Sequence, residues 1–546
     1  MATRRATPGG ERRLFAETAD WATMRARFRW AVPDQFSIAE RCCDSWAAEA
    51  PDRTALVALD DQGGRHDWSY GALKRASDGL ALAFAAAGIG RGDRIGILLP
   101  QGPAVLITHF AAMKLGAIAL PLFTLFGPDA LAFRLADSGA RAVVSDGANL
   151  DKLMALRSDC PDLAAIWCLD PAPVPVRAFW GDIEAARGVP ERLAIGAEDP
   201  AVMIYTSGTT GPPKGCLHAH RFLLGHLPSM ELTHEGFPRP GACGWTPADW
   251  AWIGGLMDMA MPCLYYGVPL VSRRMRRFDP EEAYRLIRDT GATNLFLPPT
   301  ALKMMRAAPV PAGLGLRAVS SGGEALGADL LDWGREALGA PINELYGQTE
   351  CNLMITQAAG FMVVKPGTMG QPLPGFDVAV LDTAGQPSAQ GEIGEIAVRR
   401  GTPAMFLRYW QQPEKTAAKF RGDWMMTGDL GRADADGYVT FVARDDDIIS
   451  SAGYRIGPSE IEACLSGHPD VVMAACVGMP DPLRGEVVKA FVVLRDGASW
   501  EGLEAALIAR VRERISPHVA PRAVERRDVL PMTATGKIQR RDLREE

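Results

Sequence analysis

Through its first 350 residues the chain repeats one pattern: a helical stretch followed by a short apolar strand. That alternation commits a sequence to layered α/β architecture, because each helix must cover a sheet. Leu73, Leu80 and Phe84 share one helical face, and Gly88 closes that helix before the strand RIGILLP. The same order returns in EEAYRLIRDTGA, TNLFLP, LRAVSSGGE and INELYG. The helix ends DSGA (137–140) and DTGA (289–292) are nearly identical, which suggests two similar α/β layers.

After Gly360 the pattern shortens to GFDVAVLD, GEIGEIAVRR and DGYVTFVARDDDII, the signature of a β-rich subdomain. From Ser459 a further unit of about 100 residues begins. It has a helix SEIEACLS, strands VVMAACVGM and VVKAFVVL, and a helix from Trp500 to Arg514. The expected fold is α/β: a large N-terminal domain of two α/β layers plus a β-rich subdomain at 1–444, a hinge at 445–450, and a small α+β domain at 451–546 that rotates.

A chain of 546 residues exceeds one ordinary core, and its 47% hydrophobic and 23% charged content is that of a globular protein. A net charge of −7 argues against a broad nucleic-acid or anionic-membrane surface. Ten scattered cysteines without a CxxC pair point to reduced thiols in a cytoplasmic compartment. The N-terminal MATRRATPGGERRLF has no apolar signal core. The most apolar stretch, 104–126, contains His109, Lys114 and Pro121, so it reads as a core helix and strand and not as a membrane span.

The segment YTSGTTGPPKG (205–215) carries the strongest chemical signal. Small hydroxyl residues and glycines let backbone N–H groups approach a polyphosphate, and Lys214 adds a positive charge. It is not a Walker loop, because Pro213 stands where that motif has glycine. The apolar run AVMIY leads straight into it. In YGQTE, Glu350 closes a strand as a carboxylate suited to Mg²⁺ beside ATP phosphates, Thr349 adds a hydroxyl, and Tyr346 offers a face for adenine.

With SGGEAL (321–326), ELYGQTE (344–350), TGDLG (427–431), RDDDIISSAGYRIGPSEIE and PMTATGKIQRR in this order, the chain from about residue 35 to 546 resembles the adenylate-forming enzymes. These comprise acyl-CoA synthetases, carrier-loading adenylation domains and luciferases. The likeness is nearest to the medium-chain acyl-CoA synthetases. It implies an ATP- and Mg²⁺-dependent activation of a carboxylic acid as acyl-adenylate, then transfer to coenzyme A. A stand-alone enzyme loading a carrier-protein phosphopantetheine and a non-catalytic nucleotide-binding protein are the alternatives.

The resemblance assigns catalysis to Lys537, Glu350, Thr206 and Lys214, with Glu350 on the metal. ATP and AMP would contact Thr206, Ser207, Gly208, Thr209, Thr210, Gly211 and Lys214 of the loop. Further contacts fall on Gly323, Glu324, Ala325, Glu344, Leu345, Tyr346, Gly347 and Thr349, with Asp429 on the ribose and Arg444 and Lys537 completing the set. Lys537 would offset the charge problem of one anion attacking another. The pivot would be Asp446, with Asp445 or Asp447 as alternatives in the same run. Gly453, Tyr454, Arg455 and Arg512 would meet coenzyme A.

Trp252, Ile253, Gly254, Met257 and Gly347 are the acyl-pocket candidates. By the resemblance, acetyl-CoA synthetases carry Trp at the place of Gly347, so glycine implies an acid larger than acetate: medium-chain, branched or aromatic. No basic residue in the pocket segments is placed to pair a second carboxylate, which implies a monocarboxylic acid. A homodimer, and a lysine acetyltransferase acting on Lys537, complete the expected partners.

Overall fold

Each of the two large sheets has a parallel core that ends in an antiparallel hairpin, and those hairpins carry the chemical motifs. The computed structural model describes residues 12–16, 20–206, 212–323, 326–444, 447–451, 454–482, 484–532 and 538–545. Among them, the first sheet runs Arg408–Tyr409, Lys214–Ala219, Pro200–Thr206, Ile118–Pro121, Arg94–Leu98, Ala140–Ser145, Ala165–Cys168, Arg177–Ala178. Its strands pair in parallel from Pro200–Thr206 onward. Lys214–Ala219 turns back antiparallel, with Thr206 opposite Lys214.

The second sheet runs Gln371–Pro372, Cys351–Thr356, Ile342–Gln348, Ala318–Gly322, Asn294–Phe296, Gly244–Trp245, Leu270–Arg273, Thr54–Leu59, Arg65–Ser69. Its parallel core ends in the antiparallel pair Ile342–Gln348 and Cys351–Thr356, closed by a two-residue turn at Thr349 and Glu350. The expected pair of α/β layers is therefore present. Gly139 and Gly291, the DSGA and DTGA glycines, both take left-handed φ (60° and 69°) at helix ends that lead into different sheets.

Parallel strands covered on both faces need continuous apolar runs, and the covering helices supply the rest of the core. Helix Pro103–Lys114 is buried without interruption from Ala104 to Met113, as its apolar sequence requires. No helix among the described residues is long and apolar enough to cross a membrane. All ten cysteines are free and nine are buried.

A third sheet, Val378–Leu381, Gly394–Arg399, Trp424–Ala433 and Phe420–Arg421, with Val439–Arg444 also on Trp424–Ala433, forms the β-rich subdomain. The TGDLG segment reads as a turn in sequence. Here it lies within strand Trp424–Ala433, whose register shifts by a bulge between Leu430 and Gly431.

The C-terminal sheet contains Tyr454–Ile456, Ile449–Ser451, Gly485–Leu494 and Val471–Asp481, with Ala523–Arg527 parallel to Gly485–Leu494. Helices Pro458–Ser466 and Leu503–Arg514 pack on it through Leu465, Leu507 and Val511. Ile449 already belongs to this sheet, so the C-terminal body begins earlier than residue 451.

Candidate active site

Thr206, Gly322 and Gln348 end their strands on the same side of the molecule, where open α/β sheets present ligand crevices. A cleft of about 1680 Å³ opens there, between the two sheets, the β-rich subdomain and the C-terminal domain. It is lined by Thr206, Lys214, Gly323, Glu344, Leu345, Tyr346, Gly347, Thr349, Glu350, Asp429 and Arg444. Residues far apart in sequence, such as Thr206 and Arg444, thus share one surface.

At the phosphate end, Glu350 is 8% exposed in its hairpin turn, and its backbone carbonyl accepts from Phe406 N at 2.8 Å. Tyr409 Oη donates to Glu350 Oε1, and Lys214 Nζ sits 4.6 Å above the centre of the Tyr409 ring. Burial lowers the Lys214 pKa, and the charge of Glu350 opposes that shift. The Tyr409 hydroxyl is held far above its ordinary pKa by burial and by Glu350, so it stays a donor.

At the nucleoside end, Asp429 and Arg444 face each other across an antiparallel pair, with Arg444 Nε 3.8 Å from Asp429 Oδ1. Tyr346 Oη donates to Asp429 Oδ2 at 2.6 Å. Tyr346 therefore offers a hydroxyl contact in addition to the ring face expected of it. Glu344 is 4% exposed and burial pushes its pKa up to about 8; Leu326 N, at 3.4 Å from Oε1, opposes weakly.

Several buried polar atoms in the cleft have no protein partner: Thr206 Oγ1, Glu344 Oε2 and Gln348 Oε1. Such atoms cost free energy unless a ligand or water satisfies them, so the cleft suits a polar, hydrogen-bonding occupant. For Mg²⁺ the donor set also fits. A single carboxylate with one oxygen committed to Tyr409 leaves the other for a cation that takes most of its ligands from phosphates and water. No cluster of three or more metal-type side chains occurs among the described residues.

Trp252 lines the cleft, half-buried against Phe296 with ring centres 5.6 Å apart. Ile253, Gly254 and Met257 do not line it. They are buried behind Trp252, and a Cβ on Gly254 would meet the rings of Trp252 and Phe296 at 2.8 and 2.9 Å. Gly347 lines the cleft, but the space left by its missing side chain is filled by the chain's own backbone. A Cβ there would lie 2.2 Å from Leu353 N. Leu353 bulges toward it with φ of 56°, at the register shift of the hairpin.

Arg512 is exposed on helix Leu503–Arg514 and does not line the cleft, whereas Arg510 and Arg514 of the same helix do. Tyr454 and Arg455 pair through their backbones with Ser451 and Ser450. Ser207, Gly208, Thr209, Thr210, Gly211, Glu324, Ala325, Asp445, Asp446, Gly453 and Lys537 lie outside the described residues. Ile538 and Gln539, which follow Lys537, line the cleft.

Sequence reasoning missed Tyr409, Gln348, Thr427 and Lys419. Gln348 Nε2 and Lys419 Nζ both donate to the Thr427 carbonyl, at 3.1 and 3.0 Å. A signal existed in RYWQQPEKTAAK: Lys415 and Lys419, four apart, place two ammonium groups on one helix face.

A family model described as AMP-binding enzyme matches residues 43–410, and one described as AMP-binding enzyme C-terminal domain matches residues 460–537. The chain belongs to the AMP-binding enzyme family. Acetyl-coenzyme A synthetase of Bacillus subtilis (strain 168) is 30% identical over 96% of this chain and 93% of its own length. The mitochondrial acyl-coenzyme A synthetase ACSM4 of Rattus norvegicus is 32% identical, covering 94% of this chain and 91% of that protein. Among solved structures, the anthranilate CoA ligase AuaEII in complex with anthranoyl-AMP superposes with a TM-score of 0.87. It is 27% identical over 94% of this chain and 98% of that one. The fold is that of adenylate-forming enzymes, with a large N-terminal and a small C-terminal domain.

Proposed function

We propose that the cleft carries out an adenylyl transfer followed by an acyl transfer. The protein is an AMP-forming acyl-coenzyme A synthetase. A carboxylate oxygen of the acid attacks the α-phosphorus of ATP, a new P–O bond forms, and the bond to pyrophosphate breaks. The thiol of coenzyme A then attacks the acyl carbonyl, loses its proton, and AMP leaves with the C–O bonding pair. The observation that carries this reading is the convergence of Thr206, Lys214, Glu350, Asp429 and Arg444 in one cleft that also reaches Gln539 of the C-terminal domain.

In the first step Lys214 offsets charge on the outgoing phosphates, and Thr206 directs a buried hydroxyl with no protein partner toward the same region. Glu350 would hold Mg²⁺, which supplies charge neutralisation on the phosphates when bound. Asp429 accepts the ribose hydroxyls, with Tyr346 fixing one of its oxygens. Lys537 stabilises the crowded anionic transition state, and acetylation there would remove its charge and stop adenylation. For the second step the C-terminal domain rotates about the 445–446 segment and brings Gly453, Tyr454 and Arg455 to the thiol.

The resemblance points to a monocarboxylic acid of the medium-chain, branched or aromatic kind. Trp252 is the candidate wall of the acyl end, and the likeness to the anthranilate ligase, whose complex holds anthranoyl-AMP, supports an aromatic acid among these. Ten free thiols suit a reducing, cytoplasm-type compartment. The test is AMP release with Mg-ATP and a panel of linear, branched and aromatic acids, run with free coenzyme A and with a phosphopantetheinylated carrier protein. Release with free coenzyme A and an acid other than acetate is expected. Release with the carrier protein alone would replace this reading by the carrier-loading one.

A further inference from the structure

Three and four residues after the lysine of PMTATGK stand two arginines on the cleft, Arg540 and Arg541, to which no role has been given above. Arg540 is the only one of them turned inward, with 18% of its side chain exposed against 66% for Arg541. Its guanidinium grips Glu462 in bidentate fashion, Nη2 to Oε2 at 2.8 Å and Nε to Oε1 at 3.1 Å. The remaining nitrogen, Nη1, donates to Asp447 Oδ2 at 2.9 Å. Arg544 adds a donor to the other Asp447 oxygen at 3.3 Å.

The carboxylates belong to two different places. Asp447 is the first described residue after the Asp445–Asp446 segment. Glu462 stands in helix Pro458–Ser466 and also accepts from Cys476 N of strand Val471–Asp481 at 2.8 Å. One guanidinium therefore ties the exit of the hinge to the body of the C-terminal domain, from a position three residues after Lys537. The flanks of the Lys537 segment are held as well: Met532 bridges Ile538, and Gln539 N donates to the Pro531 carbonyl at 2.9 Å.

We infer that Arg540 is a positioning residue: it locks Asp447, the residue after Asp445 and Asp446, to Glu462 of the C-terminal domain, and so anchors the chain that follows Lys537. This rests on the acyl-adenylate reading above. The geometry calls for arginine, since a planar fork serves two carboxylates at once while a lysine ammonium is a single point. A buried ion network is weak evidence for net stability; what this one supplies is a fixed geometry between Asp447 and Glu462. Because Lys537 acts in adenylation alone, losing the lock harms that half-reaction selectively.

The experiment compares full-length wild type, Arg540→Lys and Asp447→Asn in two assays. One is acid-dependent pyrophosphate exchange into ATP, and the other is thioester formation from preformed acyl-adenylate and coenzyme A. Arg540→Lys should slow exchange by about tenfold or more and leave thioester formation within about twofold. Asp447→Asn keeps the Arg540–Glu462 grip and should slow exchange by a smaller factor. The double variant should be no slower than Arg540→Lys alone, since both remove one linkage. Equal loss in both assays, additive losses, or unchanged exchange in Arg540→Lys overturns the positioning role. A wild type without acid-dependent exchange overturns it together with the functional reading. Should Arg540→Lys fail to fold, Asp447→Asn decides by the same split.

Discussion

The hydroxyl of Tyr346 donates to Asp429 Oδ2 at 2.6 Å, joining the end of one large sheet to the β-rich subdomain. The bond crosses 83 residues of sequence and leaves Asp429 Oδ1 toward Arg444. Tyr346→Phe keeps the ring and removes only this donor to a charged acceptor. A bond of that kind is worth about 1.5 kcal/mol, so KM for ATP should rise about tenfold with kcat little changed. Steady-state kinetics at saturating acid and coenzyme A check it, and an unchanged KM would separate the bond from nucleotide binding.

Tyr409 holds Glu350 and lies beneath Lys214. Tyr409→Phe preserves the ring under the ammonium and frees the carboxylate. The Mg²⁺ concentration for half-maximal exchange should rise about tenfold, because a ligand that loses its supporting contact binds metal 10–100-fold more weakly. A magnesium titration at fixed ATP measures it; an unshifted midpoint would assign Tyr409 to packing alone.

Gly347 was expected to lengthen the acyl pocket, and the structure gives the glycine another cause. Leu353 N would lie 2.2 Å from any Cβ, and the contact atom is backbone, which cannot swing aside. Gly347→Ala should lower stability by about 2 kcal/mol, as overpacking of a closed core does, and larger residues should cost more. Thermal melts of the two proteins test this. A wild-type melting temperature in the alanine variant would return Gly347 to the role of pocket spacer.

Glu344 connects the cleft to pH. Burial raises its pKa from 4.5 to about 8, so the folded state favours the neutral acid. The stability this contributes is complete below about 4.5 and is lost as pH rises toward 8, on the order of a few kcal/mol in all. The ligand-free protein should therefore lose more stability between pH 5 and pH 8 than Glu344→Gln, whose side chain is neutral throughout. Denaturant melts at several pH values decide it, and parallel slopes would mean Glu344 is charged in the folded state.

Much of the architecture was legible because helix and strand periodicities differ and the chain keeps each of them clean. Tyr70–Ala86, Pro280–Thr290 and Leu503–Arg514 were readable from apolar spacing and their terminal glycines or charges. The segment TGDLG misled because aspartate next to glycine is the common turn signal, whereas here a β-bulge accommodates the glycines inside a long strand. Within the site, Lys214, Glu350 and Asp429 were visible since each sits in a short run with its own chemistry. Tyr409 was not, because its significance lies in reaching Glu350 across 59 residues. Ile253, Gly254 and Met257 share the segment ADWAWIGGLMDMAMP with Trp252, and only three-dimensional packing distinguishes a lining residue from the core behind it.

The central claim is that this cleft forms an acyl-adenylate with Lys537 as the cation of that step. The most direct measurement is the rate of each half-reaction in wild type and Lys537→Ala. Acid-dependent pyrophosphate exchange should fall by about a hundredfold or more in the variant, the loss expected when one preorganised stabiliser of transition-state charge is removed. Thioester formation from preformed acyl-adenylate and coenzyme A should stay within about threefold of wild type. Equal losses in the two half-reactions, or exchange that survives the substitution, would contradict the account.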